Sequence, residues 1–99
     1  MNTSYLHTAM FRWKDGAPVK DLEACLDRIK SCQSLVPGIR RISWGLNRSK
    51  WAQGYTHVLH VEADTEQALA AYRANDVRQS ANALIVTWEA GVVSADFEA

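Results

Sequence analysis

The stretch Tyr5-Leu6-His7-Thr8-Ala9-Met10-Phe11-Arg12-Trp13 constrains this chain more than any other. It is rich in aromatic residues, contains neither Gly nor Pro, and stops at once in Lys14-Asp15-Gly16-Ala17-Pro18, so it predicts a β-strand. Side chains on a strand alternate between faces, which puts Tyr5, His7, Ala9, Phe11 and Trp13 on one side and Leu6, Thr8, Met10 and Arg12 on the other. Both faces carry apolar groups, so both need cover. Either the rest of the chain supplies it or a second copy does. His7 is the one histidine on the first face, which makes it the first candidate for chemistry.

The chain has 99 residues, enough for one domain spanning 1–99 with a small core. A small core gains from burying a further face by oligomerisation. Eleven basic and eleven acidic side chains cancel, which argues against the basic footprint that nucleic acid requires. No apolar run approaches the roughly 18 residues of a membrane span. Met1-Asn2-Thr3-Ser4-Tyr5 lacks the basic and apolar regions of a signal peptide, so the expectation is a cytoplasmic protein with no membrane partner. Cys25 and Cys32 fall on one helical face, about 10 Å apart along the axis, too far for a disulfide. They read as buried small hydrophobes, and no residues have a zinc-ligand spacing, so no metal is expected.

After Pro18, the residues Leu22, Cys25, Leu26, Ile29, Cys32 and Val36 recur at three- and four-residue steps. Asp21, Glu23, Asp27, Arg28 and Lys30 fall mostly off that stripe, so this is an amphipathic helix ended by Pro37-Gly38. Ile39 to Leu46 predicts a second strand and Tyr55 to Val61 a third, with the polar loop Asn47–Gly54 between them. Asp64-Thr65-Glu66-Gln67 predicts a helix start capped by Asp64, and Ala74-Asn75-Asp76 breaks that helix after Tyr72. A weaker helical piece covers about Val77 to Leu84. The last strand is expected from near Ile85, with a kink or bulge at Ala90-Gly91.

The order β-α-β-β-α-β is the ferredoxin-like split unit, an α+β fold with a four-stranded antiparallel sheet. Its helices cover one sheet face and leave the other bare. The bare face is expected to carry Leu6, Met10 and Val58, and part of Ile42, Trp44 and Leu46. Leaving it wet forgoes several kcal/mol at about 25 cal/mol per Å², which predicts a homodimer packed through that open face.

The strand histidine His7, the strand end Phe11-Arg12-Trp13-Lys14-Asp15, and the pieces Val36-Pro37-Gly38-Ile39, Trp44-Gly45, Gly54-Tyr55-Thr56-His57, Tyr72 and Asp96-Phe97 occur in a telling order. In that order the chain resembles the stress-responsive dimeric α/β-barrel (Dabb) family. The resemblance implies a homodimeric barrel with helices outside. A plant member, olivetolic acid cyclase, closes a polyketide by aldol condensation in a pocket between sheet and helices. By position, the resemblance makes Tyr72 its catalytic tyrosine and His7 and His57 its strand histidines. The histidine expected after the second helix falls on Arg78, and the tyrosine of the first helix falls on Ile29. An arginine cannot act as a general base near neutral pH.

These readings combine into one candidate pocket. His7 and His57 have matching parity on strands expected to be neighbours, so both are placed to line it as bases or polar handles. Tyr72 follows Leu69 by three residues and faces the sheet as a donor to a carbonyl or enolate. Arg78 is a candidate clamp for a carboxylate or phosphate. Ala9, Phe11, Leu26, Ile29, Leu59 and Trp88 form the expected wall, and Trp51 in the loop a lid. The expected ligand is a small hydrophobic or carbonyl compound, and the expected chemistry is cofactor-free proton transfer in a cyclase, isomerase or lyase. His60 has the opposite parity and is expected at the interface, and Asp96 is expected to anchor the last strand. The alternative is a non-catalytic stress-responsive dimer. Haem degradation, a third reading, requires an axial histidine in an open pocket.

Overall fold

A computed structural model of the chain describes residues 3–99. The elements are β1 (Tyr5–Trp13), α1 (Val19–Ser31) with a 3-10 turn at Cys32–Ser34, β2 (Ile39–Leu46), β3 (His57–Ala63), α2 (Glu66–Ala74), α3 (Asp76–Trp88) and β4 (Glu89–Glu98). The strands form one sheet in the order β2-β3-β1-β4, and every neighbouring pair is antiparallel. This is the expected α+β, ferredoxin-like arrangement. The predicted bulge is present too: Arg12 pairs with Gly91 but Trp13 pairs with Glu89, so Ala90 is the extra residue.

The core lies between the sheet and the helices. Leu22, Leu26 and Ile29 from α1 are buried there, with Ala9, Phe11, Ile42, Leu59 and Val61 from the sheet beneath them. Each of these side chains larger than alanine contributes on the order of 1.5–3 kcal/mol by leaving water. Gly38, in the turn just before β2, has φ +87°, and a Cβ there would come within 2.8 Å of Ala68 Cβ. Only glycine fits this turn and lets α2 seat on it.

Four local expectations are corrected. Thr65, rather than Asp64, caps α2, with its hydroxyl accepting from the Ala68 amide at 3.0 Å. Asp64 instead pairs with Arg40 at 2.9 Å. The β-branched run Ile85-Val86-Thr87 is helical rather than extended, because α3 continues to Trp88. Ile85 is one helical turn after Ala81, both are wholly buried, and that packing overrides strand propensity. The third strand begins at His57, two residues later than expected, and runs to Ala63.

The fourth correction concerns the sheet faces. Ile42 pairs with Val61 and Trp44 with Leu59, so both belong to the helix-covered side. Ile42 is buried, and the Trp44 indole donates to Asp27 Oδ1 on α1 at 2.8 Å. Leu46 shares their parity but ends the strand and is exposed. The uncovered face instead carries Leu6, Met10 and Val58 together with Val93 and Phe97 from β4, through the pairs Met10–Val93 and Leu6–Phe97. At its centre His60 Nδ1 and Thr8 Oγ1 share a hydrogen bond of 2.8 Å. No helix among the described residues is long and apolar enough to cross a membrane.

Candidate functional site

The residues of the expected pocket fall into three separate clusters. His7 pairs with Val61 in the sheet, whereas His57 pairs with Phe11, four residues further along β1. At about 3.4 Å per residue the two histidines are about 14 Å apart along the strand. They share a sheet face but not a pocket.

The His57 cluster is closed on itself. The Trp13 indole lies 3.0 Å from His57 Nδ1. An indole N–H only donates, so Nδ1 carries no proton and accepts; the proton is on Nε2. Nε2 donates to Glu23 Oε2 at 2.8 Å, and the Thr56 hydroxyl is 2.7 Å from Nδ1. Trp13 meets the ring edge-on and Trp44 stacks on it at 6.0 Å. Both ring nitrogens are engaged and the residue is buried, which leaves no nitrogen for a ligand.

The His7 cluster is open. His7 Nδ1 lies 2.6 Å from Asp96 Oδ1, and Arg73 Nη2 donates to Asp96 Oδ2 at 2.6 Å. The hydrogen bond from His7 holds the Asp96 carboxyl below the usual carboxylate range, against some desolvation and with help from Arg73. An ionised carboxylate only accepts, so His7 Nδ1 carries a proton, and in the neutral ring the lone pair is on Nε2. Nε2 makes no hydrogen bond among the described residues. Asp96 opens onto a cavity of about 380 Å³ between α2 and the β1–β4 edge, lined by Tyr5, Glu66, Leu69, Arg73 and Glu98 as well. Asp96 was expected only as an anchor, and Arg73 was not singled out. Counting the antiparallel pairing back from Arg12–Gly91 places Asp96 opposite His7, so the bulge position was the signal that could have found it.

The third cluster joins Tyr72 to Arg78. Tyr72 is wholly buried, and the Arg78 guanidinium carbon lies 5.5 Å from its ring centroid. Burial pushes the Tyr72 hydroxyl above the usual phenol range, while Arg78 opposes that rise. Burial likewise pushes up the neighbouring Cys32 thiol, against the pull of Arg78 and Arg28. No hydrogen bond among the described residues joins Tyr72 to His7 or His57.

The expected wall residues Ala9, Phe11, Leu26, Ile29 and Leu59 pack into the hydrophobic core, with Trp88 half-buried against it. Trp51 is 74% exposed with the Lys50 ammonium 5.2 Å from its ring, and it lines neither the cavity beside Asp96 nor the larger groove of about 520 Å³ between α1 and β2. No group of three or more His, Cys, Asp or Glu among the described residues is arranged to hold a metal ion.

A four-stranded antiparallel sheet with all its helices on one face defines the dimeric ferredoxin-like class of solved structures to which this chain is similar. One is a dimeric ferredoxin-like protein of unknown function from Jannaschia sp. CCS1, 19% identical over 97% of this chain and 99% of that one, with a TM-score of 0.87. Another, from Thermobifida fusca, is 22% identical over 98% and 92%, with a TM-score of 0.82. A third is the hydroxynitrile lyase from Passiflora edulis, 13% identical over 97% and 93%, with a TM-score of 0.82. At these identities the likeness shows the fold alone. A comparison with curated proteins gave no match. The family model of the stress responsive A/B barrel domain matches residues 6–99, and the chain belongs to that family.

Proposed function

We propose that the protein is a homodimer, joined through the uncovered sheet face, that carries out cofactor-free proton transfer on a small carbonyl compound, with His7 as the base. The observation that carries this reading is the 2.6 Å bond between His7 Nδ1 and Asp96 Oδ1 beside a cavity. Asp96 fixes the tautomer and ring orientation, Arg73 fixes Asp96, and Nε2 is left to take a proton from a carbon next to a carbonyl. Asp96 and Arg73 are positioning residues in this scheme. A cyclase, isomerase or lyase reaction needs this one step, and a hydroxynitrile lyase is among the proteins that share the fold. Dimeric neighbours support the pairing of sheets. The two free cysteines fit a reducing, cytoplasmic setting.

The test is loss of α-proton signals from a panel of small ketones in D₂O, followed by proton NMR with wild type and His7→Gln. The expected result is enzyme-dependent exchange that falls at least about 100-fold in the variant while the dimer persists. Equal exchange in both proteins removes His7 from the chemistry. The second reading, a non-catalytic dimer, is favoured by the filling of the expected pocket wall with core packing. Absence of enzyme-dependent exchange across the whole panel supports it.

A further inference from the structure

We propose that the homodimer carries a pH switch at the centre of its interface, where the two copies of His60 meet and their protonation drives the protomers apart. His60 is the middle residue of β3, and Thr8, opposite it, lies one residue from the middle of β1. β3 and β1 are the two inner strands of the sheet. A face that packs on a copy of itself about a two-fold axis sets its centre against the same centre of the other copy. Facing sheets lie about 10 Å apart, so side chains from the two centres interleave. The switch rests on the homodimer proposed above and is independent of His7, which lies on the other sheet face.

The neutral ring suits this place and the charged ring does not. His60 Nδ1 shares its 2.8 Å bond with Thr8 Oγ1, and the hydroxyl can turn to serve either protonation state. His60 Nε2 has no hydrogen bond among the described residues. The nearest strand neighbours on this face are Met10 and Leu6 on β1, Val58 and Glu62 on β3, and the uncharged Ser43 directly opposite on β2. In the free protomer water reaches this face and hydrates an imidazolium. In the dimer two imidazolium rings would be held together out of water, which disfavours their charge twice over. The fixed charges on the face add to that effect. Glu62 lies two residues from His60, about 7 Å along β3, and Arg41 stands opposite Glu62 on β2. Arg12 lies at the far end of β1, and β4 adds only Val93, Ala95 and Phe97. One acid against two bases leaves each face positive before His60 titrates, and among the described residues Glu62 and His60 form no ion pair. Association that favours the neutral ring is strongest above the ordinary histidine value, near 6.5, and weakens as pH falls through it.

The experiment is fluorescence-detected sedimentation of the full chain over a dilution series at pH 8.0 and pH 5.5, at fixed ionic strength. Wild type is expected to be a dimer at pH 8.0, with a Kd about 10- to 100-fold higher at pH 5.5, because two histidines titrate per dimer. His60→Gln keeps a side chain that bonds Thr8 but gains no charge, and its Kd is expected to change less than about 2-fold over the same interval. His60→Leu serves the same purpose if the glutamine variant does not pair. Circular dichroism of wild type is expected to be the same at both pH values; a lost signal at pH 5.5 assigns the effect to unfolding and overturns the proposal. A wild-type Kd that does not move with pH overturns it, as does the full wild-type dependence persisting in the His60 variants. A wild type that is monomeric at both pH values is a different failure, because it overturns the homodimer itself and the switch with it.

Discussion

Trp13 donates its indole N–H to His57 Nδ1 at 3.0 Å, and that single bond decides what His57 can do. It fixes the tautomer, directs Nε2–H to Glu23, and ties β1 and β3 to α1 beneath two tryptophan rings. His57→Ala would leave a half-buried indole N–H and a carboxylate without partners and open a cavity. The expected cost is about 2–4 kcal/mol in urea unfolding. A loss below about 0.5 kcal/mol would show that the network is ornamental.

Gly38→Ala is expected to be more damaging than a one-carbon change suggests. The residue sits at φ +87° and the new methyl would meet Ala68 Cβ at 2.8 Å. Backbone strain and the displacement of α2 together predict a loss of about 1–3 kcal/mol, read as a lower urea midpoint at unchanged slope.

The order of elements was legible because each hydrophobic pattern had one period and clear punctuation. Pro18, Pro37-Gly38 and Asn75 mark real boundaries, and the bulge at Ala90 was announced by Ala90-Gly91. Ile85 to Trp88 misled because a β-branched and aromatic run looks the same in a strand and on a helix packed into a core. The site was less legible. Matching parity put His7 and His57 on one face, but parity is blind to distance along a strand, and only the register separates them. His7 and Arg73 converge on the Asp96 carboxylate from positions 89 and 23 residues away, which no local pattern encodes. The filled wall around Ala9 and Ile29 depends on packing volume, which alternation also does not report.

The thiols are expected to differ in reactivity. Cys32 is wholly buried and burial raises its pKa, so it stays protonated near neutral pH, whereas Cys25 is half-buried. Iodoacetamide on the native protein, followed by peptide mass spectrometry, should label Cys25 first and Cys32 only as the chain unfolds. Equal labelling would mean that the end of α1 opens readily.

The uncovered face gives a direct test of assembly. Val93 is 46% exposed on β4 and is paired with Met10, so a charge there costs the protomer little. In a face-to-face dimer the same charge is buried without a partner. Val93→Asp is therefore expected to shift native mass spectra from twice the 11.1 kDa chain to the single chain, while circular dichroism stays unchanged. A variant that remains a dimer would place the interface elsewhere.

Acid should loosen the last strand first. The carboxyl of Asp96 titrates below its ordinary value because His7, and then Arg73, favour its ionised form. A depressed folded-state pKa contributes stability that is fully present above the unfolded value, near 3.9, and is lost as pH falls through the folded one. Asp96 is 51% exposed, so the contribution is well below that of a buried pair. Asp96→Asn removes the ionisation altogether. Compared with wild type it should be less stable at pH 7, and the gap should narrow steadily below about pH 4. Amide exchange at Ala95 and Phe97, beside the lost contact, is expected to rise more than exchange in α1. A gap that stays constant down to pH 2 would assign the effect to lost packing rather than to the charge that holds β4 against His7 and α2.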